Sequence, residues 1–255
     1  NRFTGWKDVS LTKNGIKEAN YAGEQLSKTN IIIKSIHTSL LNRATQTANI
    51  VADIIQFPIE NIKHDWRLNE RHYGALQGLN KAETAEKYGE EQVHIWRRSY
   101  DIAPPLLSEE DIRHPKFEKK FKDISESLPI GESLKDVIKR LNPFWKMYLE
   151  HIANCEGNHL IVAHSNSLRA IIKILDQLNA EQIVDINIPT GVPLVYKLSD
   201  KLDVKSILDN SFKNVIVNSE IKISSIDFTK KGNELINDST TLSVFETRLI
   251  TLTAK

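Results

Sequence analysis

The chain has 255 residues, of which 40% are hydrophobic, enough for a sizeable core in one large domain or two small ones. Lys and Arg total 34 and Asp and Glu total 33, so the net charge of +1 gives no basic excess that would indicate a nucleic-acid partner. The single cysteine, Cys155, rules out a disulfide within the chain, and no apolar run approaches the ~20 residues of a membrane span.

The first half of the chain predicts helices and strands in alternation. Thr12 is a good N-cap for a helix with an apolar face formed by Ile16, Ala19, Ala22 and Leu26. The β-branched run 31–36 predicts a strand, and a helix should follow it with an inward face of Ala44, Ala48, Val51 and Ile55. Residues 65–78 predict loop and short strand, residues 81–100 one helix, and residues 106–131 a surface loop or lid.

The second half continues this pattern and then changes in texture. We expect a helix from Leu134 to Trp145, a strand at 160–163, a helix after it, and a turn and strand within 186–196. The alternation predicts an α/β fold with three layers, in which helices flank a mostly parallel sheet. We therefore expect one domain over residues 1–200. The Ser/Thr/Asn-rich tail 201–255 contains short β-prone runs and predicts either a small β appendage or a loosely ordered segment.

One histidine stands where a predicted strand meets a predicted helix. His164 follows an apolar run, and Ser165 and Asn166 after it are good N-cap residues. A helix N-terminus presents free N–H groups and the positive end of the helix dipole, and it favours anions such as phosphate. The alternative is a histidine in a polar turn with no chemical task, because a strand-turn-helix pattern becomes a site only in the right context.

Other polar clusters carry compatible chemistry. Arg43 follows the predicted strand 31–36. Glu70 stands in a second cluster with Arg71, His72 and Tyr73, and the cations Lys81, Arg97 and Arg98 follow it. Arginine binds phosphate and carboxylate through paired N–H groups, and a lone carboxylate can shuttle a proton. Together these groups suit a small, multiply anionic phosphate ester. The alternative is that Glu70 and the arginines are solvated surface charges.

At these residues the chain closely resembles the cofactor-dependent phosphoglycerate mutases of the histidine phosphatase superfamily. The resemblance runs from Asn1 to about residue 200. It rests on long motifs: Asn1-Arg-Phe-Thr-Gly-Trp6, Leu68-Asn-Glu-Arg-His-Tyr-Gly-Ala-Leu-Gln-Gly78, Asn80-Lys-Ala-Glu-Thr-Ala-Glu-Lys-Tyr-Gly89, Arg97-Arg98, Pro104-Pro105 and Asn187-Ile-Pro-Thr-Gly-Val-Pro-Leu-Val-Tyr196. It implies a cytoplasmic glycolytic isomerase that interconverts 3-phosphoglycerate and 2-phosphoglycerate. The family is primed by 2,3-bisphosphoglycerate, uses no metal and commonly forms dimers or tetramers.

The resemblance also implies a role for each matching residue. Glu70 would be the general acid/base, and His164 would stabilise the transferring phosphoryl group. Arg43 would bind that group, in a pocket lined by Thr4 and Gly5 and assisted by Ser165 and Asn166. The remaining matching residues would contact the substrate carboxylate and second phosphate: Arg71, His72, Tyr73, Lys81, Arg97 and Arg98.

The sequence departs from the family in three ways. In the family, an Arg-His-Gly motif ends the first strand and carries the nucleophilic histidine. None of the eight histidines of this sequence stands in such a motif, and the corresponding segment would precede Asn1. Ser165 occupies a family glycine position, where a left-handed backbone would cost serine about 1 kcal/mol. The tail 201–255 does not resemble the short segment with which the family closes its site.

These departures leave alternatives to a mutase. A pseudoenzyme or gene relic would bind phosphoglycerates without turnover. A phosphatase of the same superfamily would act on small phosphate esters, but it would need the same nucleophile. The motif around Glu70 favours the mutase, because phosphatases of the superfamily usually lack it.

Overall fold

The structure is a computed structural model that describes residues 1–29, 31–124, 126–155, 157–197 and 248–254. Within these residues the chain forms seven α-helices: α1 (Lys13–Ser27), α2 (Asn42–Ile54), α3 (Lys81–Tyr88), α4 (Glu90–Arg98), α5 (Leu134–Ala153), α6 (Ser165–Leu175) and α7 (Gln182–Asp185). The same residues form five strands: β1 (Ile33–Thr38), β2 (Lys63–His64), β3 (Asn158–Ala163), β4 (Leu194–Lys197) and β5 (Arg248–Thr253). None of these helices is long and apolar enough to cross a bilayer.

All five strands belong to one sheet with the order β2-β1-β3-β5-β4. The pairs β1–β2, β1–β3 and β3–β5 are parallel, and β4 is antiparallel to β5. The prediction of a mostly parallel α/β sheet is therefore confirmed. Because Thr38 pairs with Val162, the carboxyl ends of β1 and β3 meet at one edge of the sheet. The residues that follow the two strands are thereby brought together.

Helices cover both faces of the sheet, which confirms the three-layer architecture. Alternate residues of β3 point to opposite faces. Ile161 and Ala163 pack into a core with α5 and α6, whereas Leu160 and Val162 pack into a second core with α1 and α2. This arrangement explains why residues 160–163 of β3 form an unbroken apolar run rather than an alternating one.

Helix α1 begins where the sequence predicts, and Ala19, Ala22 and Leu26 of its predicted inward face are buried. Thr12 is the N-cap, and its Oγ1 accepts a hydrogen bond from the Gly15 amide at 3.0 Å. Ile16, expected inside, is 43% exposed. The inward face also includes Gly15 and Gly23, because α1 packs closely on α2. A Cβ on Gly23 would lie 2.8 Å from Cδ1 of Ile54.

The single helix predicted over 81–100 is divided in two. Gly89 has φ of 88°, so it ends α3 and immediately precedes α4. The predicted lid, 106–131, contains two short 3₁₀ turns among its described residues and is anchored by the buried side chains of Leu107 and Phe121.

The described end of the tail is a central part of the sheet. The predicted β-prone runs at 215–217, 221–223 and 226–228 lie outside the described residues. The run at 249–252 lies in β5, where Leu249, Ile250 and Leu252 are fully buried between β3 and β4. These residues share the core of the main domain.

Candidate active site

His164 lies at the carboxyl edge of the sheet, between β3 and α6. It is the N-cap residue of α6 and is 1% exposed. Its Nε2 lies 2.8 Å from Oγ of Ser39, which directly follows β1. Burial, with Arg43 and Arg140 nearby, holds the pKa of His164 well below its usual range, so the ring is neutral. Its Nδ1 is buried without a partner in the described part of the chain.

Arg43 reaches the same edge from the first turn of α2. It is 5% exposed, and its Nη2 donates to the carbonyl oxygen of Gly5 at 2.8 Å. Gly5 has φ of 50°, and a Cβ there would lie 2.5 Å from Oε1 of Gln77, so only glycine fits. Burial lowers the pKa of Arg43, an effect that the charge of Glu70 opposes. Thr4, beside Gly5, is half-buried.

Glu70 lies between this group and the start of α6. Its Oε1 accepts hydrogen bonds from the backbone amides of Arg71 at 2.7 Å and Asn166 at 3.3 Å. The carboxylate therefore sits at the N-terminus of α6, where the helix dipole stabilises negative charge. The chain brings these groups together from positions 96 residues apart.

Ser165 is the first residue of α6, and the left-handed conformation considered for it is wrong. Among the described residues other than glycine, only Gln56 and Gln177 have positive φ. Serine therefore carries no backbone strain at this position. Its side chain is half-buried beside the buried Asn166.

A second group of cations begins with Arg71. This residue is fully buried, yet its Nε and Nη1 have no partner in the described part of the chain. Its Nη2 donates to Oη of Tyr73 at 3.0 Å and to the carbonyl oxygen of Arg97 at 2.7 Å. Its guanidinium carbon lies 4.7 Å from the centre of the Tyr73 ring. The segment after Glu70 is thus tied to the end of α4.

Lys81, Arg97 and Arg98 lie close to this group. Burial, and then the charge of Arg97, lower the pKa of Lys81, and Arg98 acts in the same direction. The Lys81 ammonium donates to Oδ1 of Asn1 at 3.0 Å. These three cations, predicted from separate stretches of sequence, therefore share one region.

His72, expected within the substrate-contacting segment, lies in the interior behind it. The residue is fully buried, its ring centre is 5.6 Å from that of Trp6, and its Nδ1 accepts from the Gly74 amide at 3.0 Å. Burial, followed by the charge of Arg140, lowers the pKa of His72 to about 3. These contacts make it a support for the segment.

Arg169 belongs to the site although the sequence alone does not single it out. It is 2% exposed, and its Nη1 donates to Oδ1 of Asn166 at 3.1 Å. Burial, then Arg71 and Arg98, lower its pKa to about 10. The helical pattern gave no signal for this residue, because Arg169 precedes Lys173 by four residues and so lies on the polar side of the predicted helix.

The arrangement is cationic around the carboxylate of Glu70. Six cationic side chains of the site form no ion pair with a carboxylate in the described part of the chain: Arg43, Arg71, Lys81, Arg97, Arg98 and Arg169. Buried cations without counter-ions are costly, so the site is suited to an anionic ligand. Across the same residues, no three His, Cys, Asp or Glu side chains are grouped so that they could hold a metal ion.

The fold has three layers, and a histidine, an arginine and a carboxylate lie at the carboxyl edge of its sheet. This combination is typical of a class of phosphate-handling proteins. The chain belongs to the histidine phosphatase superfamily (branch 1), which matches residues 1–113 and 106–200. The resemblance identified from the sequence motifs is thereby confirmed.

Two curated relatives are about 50% identical to the chain and carry the same name. The chain is 50% identical over 206 residues to a 2,3-bisphosphoglycerate-dependent phosphoglycerate mutase of Bacteroides fragilis, covering 80% of this chain and 83% of that protein. A protein of the same name from Parabacteroides distasonis is 49% identical over 203 residues, which are 79% of this chain and 82% of the relative.

Solved structures agree on the fold. A mycobacterial glucosyl-3-phosphoglycerate phosphatase superposes with a TM-score of 0.54 at 22% identity, covering 73% of this chain and 78% of the other. The α-ribazole phosphatase of Shigella flexneri superposes with a TM-score of 0.53 at 21% identity, covering 75% and 80%. At this identity the likeness concerns the fold alone.

Proposed function

We propose that the protein is a phosphoglycerate mutase that interconverts 3-phosphoglycerate and 2-phosphoglycerate and is primed by 2,3-bisphosphoglycerate. The relatives at about 50% identity carry that name. The observation that carries the proposal is the carboxylate of Glu70, flanked by cations that form no ion pair with any described residue. Each phosphoglycerate has a carboxylate and a phosphate, and it needs more than one cationic subsite.

The phosphoryl group being transferred would bind beside His164. Arg43 would hold it through its guanidinium, next to the backbone of Thr4 and Gly5, and the amide end of α6 at Ser165 and Asn166 would add positive potential. Ser39 Oγ already accepts from the Leu41 amide at 3.2 Å, so its hydrogen is free to donate to His164 Nε2. With Nε2 of His164 as the acceptor, Nδ1 carries the hydrogen and can donate it to a phosphoryl oxygen.

The substrate carboxylate and the second phosphate would occupy the other cationic group. Its members are Arg71, Tyr73, Lys81, Arg97 and Arg98, to which we add Arg169. The buried N–H groups of Arg71 and Arg169 that lack partners are suited to this task, because an anion would satisfy them. His72 would act from behind, by fixing the turn between Arg71 and Gly74.

Glu70 would accept and return the proton of the substrate hydroxyl as general acid/base. The same two cationic groups fit 2,3-bisphosphoglycerate, which has two phosphates and a carboxylate and supplies a phosphoryl group when bound. The nucleophile would be the histidine of an Arg-His-Gly segment ahead of Asn1, as the resemblance implies. We further propose cytoplasmic glycolysis as the setting, catalysis without a metal, and a homo-oligomer, dimeric or tetrameric.

The test has two stages. Calorimetry measures binding of 3-phosphoglycerate and 2,3-bisphosphoglycerate to the chain. An enolase-coupled assay then measures 2-phosphoglycerate formation by the chain extended ahead of Asn1 with the relatives' segment through Arg-His-Gly. A mutase binds both ligands and isomerises 3-phosphoglycerate only when 2,3-bisphosphoglycerate is supplied.

Other outcomes identify the alternatives. Ligand binding without turnover in the extended chain would indicate a pseudoenzyme. Release of inorganic phosphate without isomerisation would indicate a phosphatase. Absence of binding to the chain and of turnover in the extended chain would overturn the proposal.

A further inference from the structure

A buried ion pair lies directly behind the segment that carries Glu70. Glu132 precedes α5, and Arg140 projects from the second turn of that helix. Their side chains are 3% and 6% exposed. Arg140 Nε lies 2.6 Å from one carboxylate oxygen of Glu132, and Nη2 lies 3.1 Å from the other, so the pair is bidentate.

The pair holds backbone groups on both sides of Glu70. Arg140 donates to four carbonyl oxygens of the segment: Trp66 at 3.5 Å, Arg67 at 2.7 Å, Asn69 at 3.2 Å and Glu70 at 3.3 Å. Glu132 accepts from the His72 amide at 2.8 Å, and its own amide donates to the His72 carbonyl at 2.9 Å. One ion pair thus anchors the main chain from residue 66 to residue 72.

Aromatic rings shield this anchor from water. The Arg140 guanidinium carbon lies 5.6 Å from the ring centre of Trp6 and 5.9 Å from that of Trp66. The Trp6 indole also donates to the Glu70 carbonyl, so that oxygen receives two donors. These contacts fix the position from which the Glu70 side chain projects.

A contribution to stability does not by itself explain why the protein has this buried ion pair. A buried ion pair adds little to stability beyond what an apolar pair of similar volume provides, although removal of one partner is costly. Its geometry is specific, because the planar guanidinium can serve Glu132 and several carbonyl groups at once, which an ammonium cannot.

We propose that Glu132 and Arg140 are positioning residues that hold the carboxylate of Glu70 against the Arg71 and Asn166 amides. The catalytic consequence rests on the proposed function, in which Glu70 transfers a proton. General acid/base catalysis requires the proton-transferring group to lie within hydrogen-bond reach, so a loosened Glu70 should lower turnover rather than substrate affinity.

Amide hydrogen exchange in the chain tests the positioning directly. Both amides that donate to Glu70 Oε1, those of Arg71 and Asn166, should exchange about tenfold faster or more in Arg140→Lys, as expected for loss of charge-assisted hydrogen bonds. Amides inside β3 should keep their rates. Glu132→Gln retains an acceptor for the His72 amide, so it should accelerate exchange of the same two amides by a smaller factor. This variant tests the proposal if Arg140→Lys does not fold.

Arg113→Lys is the matched control. Arg113 also pairs with an aspartate, Asp111, at 2.7 Å and donates to a backbone carbonyl, that of Gln77, at 3.0 Å. The Arg113→Lys substitution should leave the exchange of the Arg71 and Asn166 amides unchanged. Unchanged exchange of these amides in Arg140→Lys, or equal acceleration throughout the sheet, would overturn the proposal.

Kinetics of the extended chain supply the second readout. Arg140→Lys should lower kcat about tenfold or more with KM within about twofold. It should cause no further loss in a Glu70→Gln background, whose residual turnover should be about a hundredfold or more below that of the parent. Equal losses in both backgrounds would contradict action through Glu70. If the parent protein shows no mutase activity, the proposed function fails, while hydrogen exchange still decides the positioning.

Discussion

The substitution Arg169→Met separates ligand binding from stability. Methionine has an unbranched side chain that can fill much of the space of the arginine stem. It removes the charge and two donors, one to Asn166 Oδ1 at 3.1 Å and one to the carbonyl of Ile183. The affinity for 3-phosphoglycerate should fall strongly, while the free energy of unfolding should fall by no more than about 3 kcal/mol.

The structure gives the two opposing contributions to stability. A pKa lowered to about 10 corresponds to a cost of about 3 kcal/mol for holding the charge of Arg169 in the folded protein. Loss of two charge-assisted hydrogen bonds costs about 3–6 kcal/mol in total. The net change is therefore between about zero and a loss of about 3 kcal/mol.

Binding has no such compensation. An anion beside Arg169 gains a charge-assisted contact of about 1.5–3 kcal/mol, so its loss should weaken affinity about tenfold to a hundredfold. Calorimetric titration measures the affinity, and urea denaturation at the same pH measures stability. Lys173→Met, which removes a cation further along α6 that donates to the Leu178 carbonyl, is the control. Unchanged affinity in a folded Arg169→Met protein would refute the reasoning.

Three further predictions follow from the histidines and from the start of α6. His164 is neutral in the free protein, and a bound phosphate should raise its pKa, so 3-phosphoglycerate binding should take up a proton. The binding enthalpy should then vary with the buffer's ionisation enthalpy, and it should lose this dependence in His164→Gln; a dependence that persists would contradict the assignment. Burial, then Lys63, lowers the pKa of His37 from 6.5 to about 3, so the unfolded chain protonates first and stability is lost as pH falls below about 6.5. Between pH 7.5 and pH 5, the free energy of unfolding measured by urea denaturation should fall by about 2 kcal/mol less in His37→Gln than in the parent. The control His94→Gln, at an exposed position, should match the parent. Equal losses in the parent and in His37→Gln would contradict this prediction. Ser165→Gly should lower the free energy of unfolding by up to about 1 kcal/mol, because the position is helical; thermal denaturation that shows stabilisation would contradict this.

Local patterns predicted the parts of the fold that depend on local interactions. Thr12 caps α1, and the boundary between β3 and α6 lies at His164, because caps and apolar periodicity act over a few residues. Ile16 was misplaced because the inward face of α1 depends on how closely α2 approaches. The place of β5 in the sheet could not be read from its own residues, since its neighbours β3 and β4 lie far away in the sequence.

The candidate site follows the same division. Motifs marked Glu70, Arg43 and His164, and the structure brings them to one edge. Sequence reasoning missed Glu132 and Arg140, because their importance lies in contacts with backbone groups about 60–75 residues away, and backbone acceptors leave no trace in residue type. It also placed His72 among the substrate contacts, although its ring is buried against Trp6.

The central claim is that this site isomerises phosphoglycerate, and the enolase-coupled assay tests it most directly. We predict that the chain extended with the Arg-His-Gly segment forms 2-phosphoglycerate from 3-phosphoglycerate only in the presence of 2,3-bisphosphoglycerate, and that Glu70→Gln lowers this activity about a hundredfold or more while retaining ligand binding. Formation of inorganic phosphate without 2-phosphoglycerate, or full activity in Glu70→Gln, would contradict the account.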